Sequence, residues 1–276
     1  MFRYSILSIL KTKAIRRSIH SIFLLWILLS CSPSNESKEE VSEDLNPAAS
    51  GFDSMNSDEK AIAWADATMH AMGGRNKWDQ TRYISWNFFN RRDLIWDKYT
   101  GRVRIEAPSD TAVYLININD ETGKVLLKGG EVKDADSLKL LINRAKSIWI
   151  NDSYWLVMPF KLKENGVTLK YIGEGATLKG EPATILELTF NAVGVTPDNK
   201  YEVYITKSDS LIKQWAFFNN ASQDTASVIW PWDNYKDYNG LLLSSDRSDM
   251  KGPHNVKVLT ELPDATFEDF NWKFGQ

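Results

Sequence analysis

Two histidines, one cysteine and a few closely spaced carboxylates carry most of the chemistry open to this chain beyond its first 30 residues. His70 sits beside the apolar seam of a predicted helix, and His254 lies in a Gly252-Pro-His-Asn255 loop. No Ser, Cys or Asp motif frames either one, so no catalytic residue and no metal ligand is expected. Gly173-Glu-Gly175 has G-x-G spacing but no helix after it, so the phosphate fingerprint is absent and no cofactor is expected. Paired carboxylates are the remaining route to catalysis. Asp97, Glu106, Asp233 and Asp237 could supply acid and base for glycoside cleavage. Beside the last two, Trp230, Trp232, Tyr235 and Tyr238 form either a sugar-stacking platform or a loop packed over a sheet edge.

The strands that hold these carboxylates suggest a plainer role. Arg92–Asp97 and Arg102–Glu106 flank a turn at 98–101, which sets Asp97 opposite Arg102 and Trp96 opposite Val103. One face is then Leu94, Trp96, Val103 and Ile105. The other, Asp93, Asp97, Arg102, Arg104 and Glu106, reads as a solvated ionic ladder contributing a few tenths of a kcal/mol per pair. In a functional form, Arg102 and Arg104 would be an anion or head-group patch.

Around that hairpin the chain alternates with period two. Runs at Arg82–Phe89, Thr111–Asn119 and Lys124–Lys128 complete an antiparallel meander, with turn residues between most of them. A helix from Ser57 to about Met72, stopped by Gly73-Gly74, precedes the meander. A second, from Asp134 to Ile150 with the stripe Leu138, Leu141, Ile142, Ala145 and Trp149, interrupts the strands. Tyr154-Trp-Leu-Val-Met-Pro-Phe160 follows as an aromatic tail. Strands at Val167–Ile172, Thr184–Phe190, Tyr201–Thr206, Leu211–Phe218, Leu241–Ser245 and Asn255–Glu261 come after it, and Phe267, Phe270 and Trp272 read as an edge seal. No linker breaks residues 57–276, so one mainly β (α+β) domain is expected. Its dry sheet face must be covered or must bind something. The helix with its aromatic tail could be the cover, or a lid over an apolar groove.

The N-terminal part points to export. Lys11, Lys13, Arg16 and Arg17 precede the apolar run Ile22–Leu29, which is well short of the ~20 residues of a membrane span. Leu28-Leu29-Ser30-Cys31 resembles the lipobox of bacterial lipoproteins, in which the Cys becomes the acylated first residue. Residues 1–30 are then a lipoprotein signal peptide and Cys31 the lipidation site. Residues 31–56, rich in Ser and acids, read as a flexible tether. A net charge of −3, with no basic run in the body of the chain, argues against a nucleic-acid partner.

The order of elements resembles the Lol-type lipoprotein-carrier (LolA/LolB-like) superfold. More closely, Trp78, Trp86, Arg92, Trp96-Asp-Lys98, Gly101-Arg-Val-Arg-Ile105, Trp155-Leu-Val-Met-Pro-Phe-Lys161 and Val193-Gly-Val-Thr-Pro197 resemble an uncharacterised family of Gram-negative envelope lipoproteins. The resemblance implies a single strongly curved antiparallel sheet, or incomplete β-barrel, with helices on its concave face. It also implies a groove for acyl chains or a lipidated protein, lined here by Trp86, Trp96, Trp149, Trp155, Met158, Phe160, Trp215 and Phe217. The expectation is therefore a non-catalytic binding lipoprotein of the cell envelope, tethered to the outer rather than the inner membrane through Cys31. Its alternatives are a glycan-acting enzyme and a structural interaction protein whose core is filled. Oligomeric state is left open.

Overall fold

The computed structural model describes residues 45–191, 194 and 196–273. Cys31 and the signal segment lie outside them. Helices α1 (Glu59–Ala71) and α2 (Gly74–Gln80) lead into strands β1 (Tyr83–Phe88), β2 (Arg92–Asp97), β3 (Arg102–Ala107), β4 (Ala112–Asn117), β5 (Thr122–Leu127) and β6 (Gly130–Glu131). Helix α3 (Ala135–Val157) separates these from β7 (Val167–Ala176), β8 (Pro182–Phe190), β9 (Lys200–Thr206), β10 (Ile212–Phe218) and β11 (Val228–Pro231). A hairpin, β12 (Tyr235–Tyr238) with β13 (Leu241–Ser244), then β14 (Pro253–Leu259) and α4 (Ala265–Glu268) complete the domain.

The single curved sheet implied by the resemblance is instead two antiparallel sheets and a hairpin, none closed into a barrel. The first sheet runs β14-β1-β2-β3-β4-β5-β6, and the second β11-β10-β9-β8-β7. Both are meanders, because short turns make sequence neighbours spatial neighbours. Only β14 travels back, to pair with β1. The β2–β3 register is the one expected, Asp97 against Arg102 and Trp96 against Val103.

Helix α3 links the two halves. Asp134 caps it by accepting from the Ser137 amide at 2.9 Å. It runs seven residues beyond the expected Ile150, so Tyr154 and Trp155 are helical rather than part of a tail. Ile142, Ala145, Leu156 and Val157 pack on the first sheet, with Trp86, Leu94, Trp96, Val103 and Ile105. The 3-10 turn Met158–Lys161 carries Met158 over to the second sheet, among Leu169, Leu186, Val203 and Trp215. A bidentate pair, Arg92 to Asp152 at 2.7 and 2.9 Å, fastens the helix to β2. Asp152 is fully buried. Burial raises its pKa against the pull of Arg92.

Residues 46–58 pack on the domain ahead of α1: Asn46 and Phe52 are buried, and the Asp53 and Asp58 amides donate to the Val167 and Leu169 carbonyls. The residues just before α1 hold the second sheet. Ser57 Oγ accepts from the Leu169 amide and Asp58 Oδ2 from the Tyr171 amide, both at 2.9 Å. Residues 53–58 thereby cover the open edge of β7. Gly73-Gly74 does stop α1, but α2 restarts at once. Gly73, at φ +111°, lies so near the hairpin that a Cβ there would meet the Gly240 oxygen at 2.1 Å.

Two members of the expected wet ladder on the first sheet, Asp97 and Arg104, are buried, while Asp93 is exposed and Arg102 and Glu106 are half-buried. Asp97 has no exposed surface and accepts from Arg82 at 3.1 Å and Arg102 at 3.2 Å. Arg104, 1% exposed, sends all five N–H groups to Glu106 and to the carbonyls of Thr266, Asp269, Phe270 and Trp272. Arg102 in turn holds Asp264 at 2.8 Å. The two arginines therefore anchor the C-terminal segment and do not form an open anion patch. Phe267 does not seal an edge either, for it packs on the sheet face against Tyr83 and Ile95.

Candidate functional site

Along β8 and β9 the inward side chains change character toward the loop that joins the two strands. Leu186 and Val203 face each other deep in the sheet, then Leu188 meets Tyr201, and Phe190 lies beyond. Aliphatic packing gives way to aromatic rings where α3 reaches its last turns. Ile150, Asn151, Tyr154 and Trp155 of α3 stand opposite Phe190, Gly194, Thr196 and Tyr201 across a groove of about 170 Å³. A small pocket of about 10 Å³, enough for one water, lies among Tyr154, Trp155, Met158, Tyr201, Trp215 and Trp232.

The rings form one connected set. Tyr154 lies 6.2 Å from Phe190 and 5.5 Å from Tyr201, while Tyr201 lies 5.4 Å from Trp215 and 5.3 Å from Phe217. Trp155 meets Trp215 edge-on at 4.6 Å and touches Phe88, Phe89 and Trp230 as well. Edge-to-face contacts of this kind add to burial and fix ring orientation. The lining carries no charge. Burial lifts the Tyr154 phenol well above its usual range and the Tyr201 phenol to about 12, so both stay protonated at any physiological pH. The Tyr154 hydroxyl and the Trp215 indole N–H are buried with no hydrogen-bond partner among the described residues.

A buried arginine holds this wall in place. Arg247 donates Nη2 to the Trp155 carbonyl at 2.6 Å and Nε to Ser244 Oγ at 2.7 Å. Its guanidinium lies 3.5 Å from the Trp232 ring. Burial pulls its pKa down to about 9, which still leaves a cation at neutral pH. A cation at the C-terminal end of α3 satisfies a carbonyl that the helix cannot bond itself. Nothing in the sequence around Arg247 announces this role.

Of the expected groove residues, the structure brings Trp155, Met158, Trp215 and Phe217 together around the second sheet. Met158 is 1% exposed, which makes it part of the core and not of a movable lid. Trp86, Trp96, Trp149 and Phe160 lie elsewhere, in the packed cluster on the first sheet. There Trp96 meets Trp149 at 5.1 Å and Phe160 stacks on Trp78 at 4.5 Å. Ile150, Tyr154, Phe190 and Tyr201 also line the groove and are not among the residues expected there; the period-two alternation of Thr184–Phe190 and Tyr201–Thr206, which puts Phe190 and Tyr201 on the same side as Leu188 and Val203, is the signal for two of them.

The carboxylates do not converge. Asp97 and Glu106 lie on the same face of the first sheet but two rungs apart, about 13 Å along the strands. That exceeds the roughly 5–9.5 Å of glycosidase pairs. Asp233 accepts from Lys179 and Ser248, and Asp237 caps the Gly240 amide. The Trp230–Tyr238 cluster extends the second sheet through β11 and adds the β12–β13 hairpin. His254, 5% exposed, contacts Asp246, whereas His70 is on the surface.

No protein-family model matches the sequence, and no curated protein matches it significantly. Solved structures similar to it are remote. A DUF1329 family protein from Desulfovibrio piger aligns over 76% of this chain and 97% of its own, at 13% identity and a TM-score of 0.39. MucB aligns over 60% of this chain and 55% of its own, at 15% identity and a TM-score of 0.24. For the MucA/MucB complex of Pseudomonas aeruginosa the shares are 59% and 53%, at 13% identity and a TM-score of 0.22. Likenesses this distant leave the function to be read from the site.

Proposed function

We propose that this chain is a non-catalytic binding protein of the cell envelope, anchored through an acylated Cys31, that takes an apolar ligand into the groove between α3 and the second sheet. The observation that carries the reading is the uncharged aromatic lining of that groove by Tyr154, Trp155, Phe190 and Tyr201. Its volume, about 170 Å³, is close to that of an apolar cavity that admits benzene. A whole lipid does not fit, but the end of an acyl chain does. Apolar burial at about 0.8 kcal/mol per CH₂ would supply the affinity. A lipid-modified protein would present the same group.

The test is titration of purified protein with a fluorescent fatty acid, alongside Phe190→Ala, which strips one wall, and Ile150→Trp, which fills the space. Saturable uptake by the unaltered protein, weakened about tenfold or more (≥1.4 kcal/mol) in both variants, supports the reading. A flat titration of the unaltered protein contradicts it.

A further inference from the structure

The outer face of the first sheet holds a second cavity, of about 500 Å³, whose character is opposite to the groove's. Its floor is two rows of side chains crossing β14, β1, β2 and β3. Asn87 stands opposite Asp93, and Asp93 opposite Glu106. In the adjacent row Ser85 stands opposite Ile95, and Ile95 opposite Arg104. Trp272, half-buried at the end of the C-terminal segment, forms a wall with its ring 5.4 Å from the Arg104 guanidinium.

Two local rules of sheet construction are broken here. Carboxylates directly opposite one another on adjacent strands repel, and Asp93 faces Glu106 in this way. Two rungs along the same face, Asp97 has an arginine as its partner. The ladder between β1 and β14 also slips, by a bulge that places one extra residue on β14 between the partners of Ser85 and Asn87. The extra residue lies at 255–256, where Asn255 has a φ of +51° and lines the cavity. Bulges re-aim side chains, and departures from sheet rules gather where a surface is used.

The groups are also held in position. Asn87 Nδ2 donates to Asp93 at 2.8 Å, and Arg104 Nε donates to Glu106 at 2.7 Å. Arg104 is itself fixed by four backbone carbonyls. A carboxylate offers about four lone-pair sites, so these bonds leave each able to accept from a ligand as well. The cavity therefore combines oriented acceptors, the Asn87 and Asn255 amides, the two lysines Lys257 and Lys273 as donors, and one aromatic wall. Vicinal hydroxyls, which both donate and accept, fit the floor, and the C–H face of a sugar ring fits an indole. We propose that this cleft binds carbohydrate, with a volume in the range that holds a compact small-molecule ligand. The site is independent of the acyl groove, and nothing in it requires bond cleavage.

The experiment is NMR titration of the folded domain with chitotetraose and with maltotetraose, following the Trp272 indole, with spermidine as an amine control. Asp93→Ala and Trp272→Ala are the variants: Asp93 is exposed, and Trp272 is a half-buried residue at the margin of the Tyr83, Ile95 and Phe267 cluster. Saturable shifts at Trp272 with either oligosaccharide, and an affinity about tenfold or more weaker in both variants, support the proposal, provided fatty-acid uptake is unchanged. Absence of saturable shifts with both sugars overturns it. So does binding of spermidine alone, or sugar binding that neither variant weakens.

Discussion

The two aromatic clusters are built from the same residue types and end up doing different things. On the first sheet, Trp86 and Trp96 are covered by Trp78 of α2, Trp149 of α3 and Phe160 of the turn after it, and Trp86 is 2% exposed. On the second, Tyr154, Trp155, Phe190 and Tyr201 are only half-buried, because α3 covers the sheet there with its last turns alone. Coverage, and not composition, separates a filled core from a groove. An aromatic side chain in sequence is a demand for contact area, which either the protein or a ligand can meet.

Truncation should expose this difference most strongly on the filled side. Trp86→Ala should lower stability by about 3–5 kcal/mol, through lost burial and a cavity that neighbours cannot close. Urea melts read the loss, and the folded fraction should still take up fatty acid. Destabilisation under ~1 kcal/mol would mean the first cluster is loosely packed as well, which would erase the contrast.

The covering of the first sheet's other face comes next. Asp97→Asn should cost about 2 kcal/mol, from weakened charged hydrogen bonds at a buried site. Burial pushes the Asp97 pKa up, but bonds from Arg82, Thr100 and Arg102 outweigh it and leave a net lowering. A carboxylate depressed in the folded state adds stability above its unfolded pKa of about 3.9 and loses it as pH falls below that value. The unaltered protein should therefore show an acid-induced loss below about pH 4 that is smaller in Asp97→Asn. Equal acid sensitivity in the two proteins would remove Asp97 from the account.

On the open side the expected effect on stability is smaller. Trp155→Ala should cost about 1–2 kcal/mol, since the ring is half-buried and already borders the groove. Fatty-acid affinity should fall by about tenfold or more. A loss as large as that of Trp86→Ala, with uptake intact, would make Trp155 core. Tyr154→Phe sits at the bottom of the scale. It removes a buried hydroxyl that has no partner among the described residues, so stability should stay within about 1 kcal/mol and should rise if it moves. A clear destabilisation would reveal a partner for that hydroxyl.

Much of this was legible in the sequence, and the reasons are local. The β2–β3 register followed from one short turn and period-two alternation. The inward faces of β8 and β9 followed from alternation alone. What stayed hidden depends on distant partners. Arg104 read as part of a wet ladder because most of the groups that bury it are backbone carbonyls of residues 266–272, which have no side-chain signature. The groove stayed hidden because its position depends on where α3 ends, and the helix runs seven residues beyond the expected end at Ile150, up to the turn that carries Pro159. Arg247 is the hardest case, since its partners are a carbonyl, a hydroxyl and a ring contributed by three separate elements.

Photolabelling tests the central claim most directly, because it reports where an apolar ligand sits as well as whether it binds. The protein would be irradiated with a fatty acid carrying a diazirine near its methyl end, then digested and mapped by mass spectrometry. The account predicts label on the peptides containing Ile150–Trp155 and Phe190 or Tyr201, and competition by unlabelled fatty acid. Label confined to other surfaces, or no competable label at all, would contradict it.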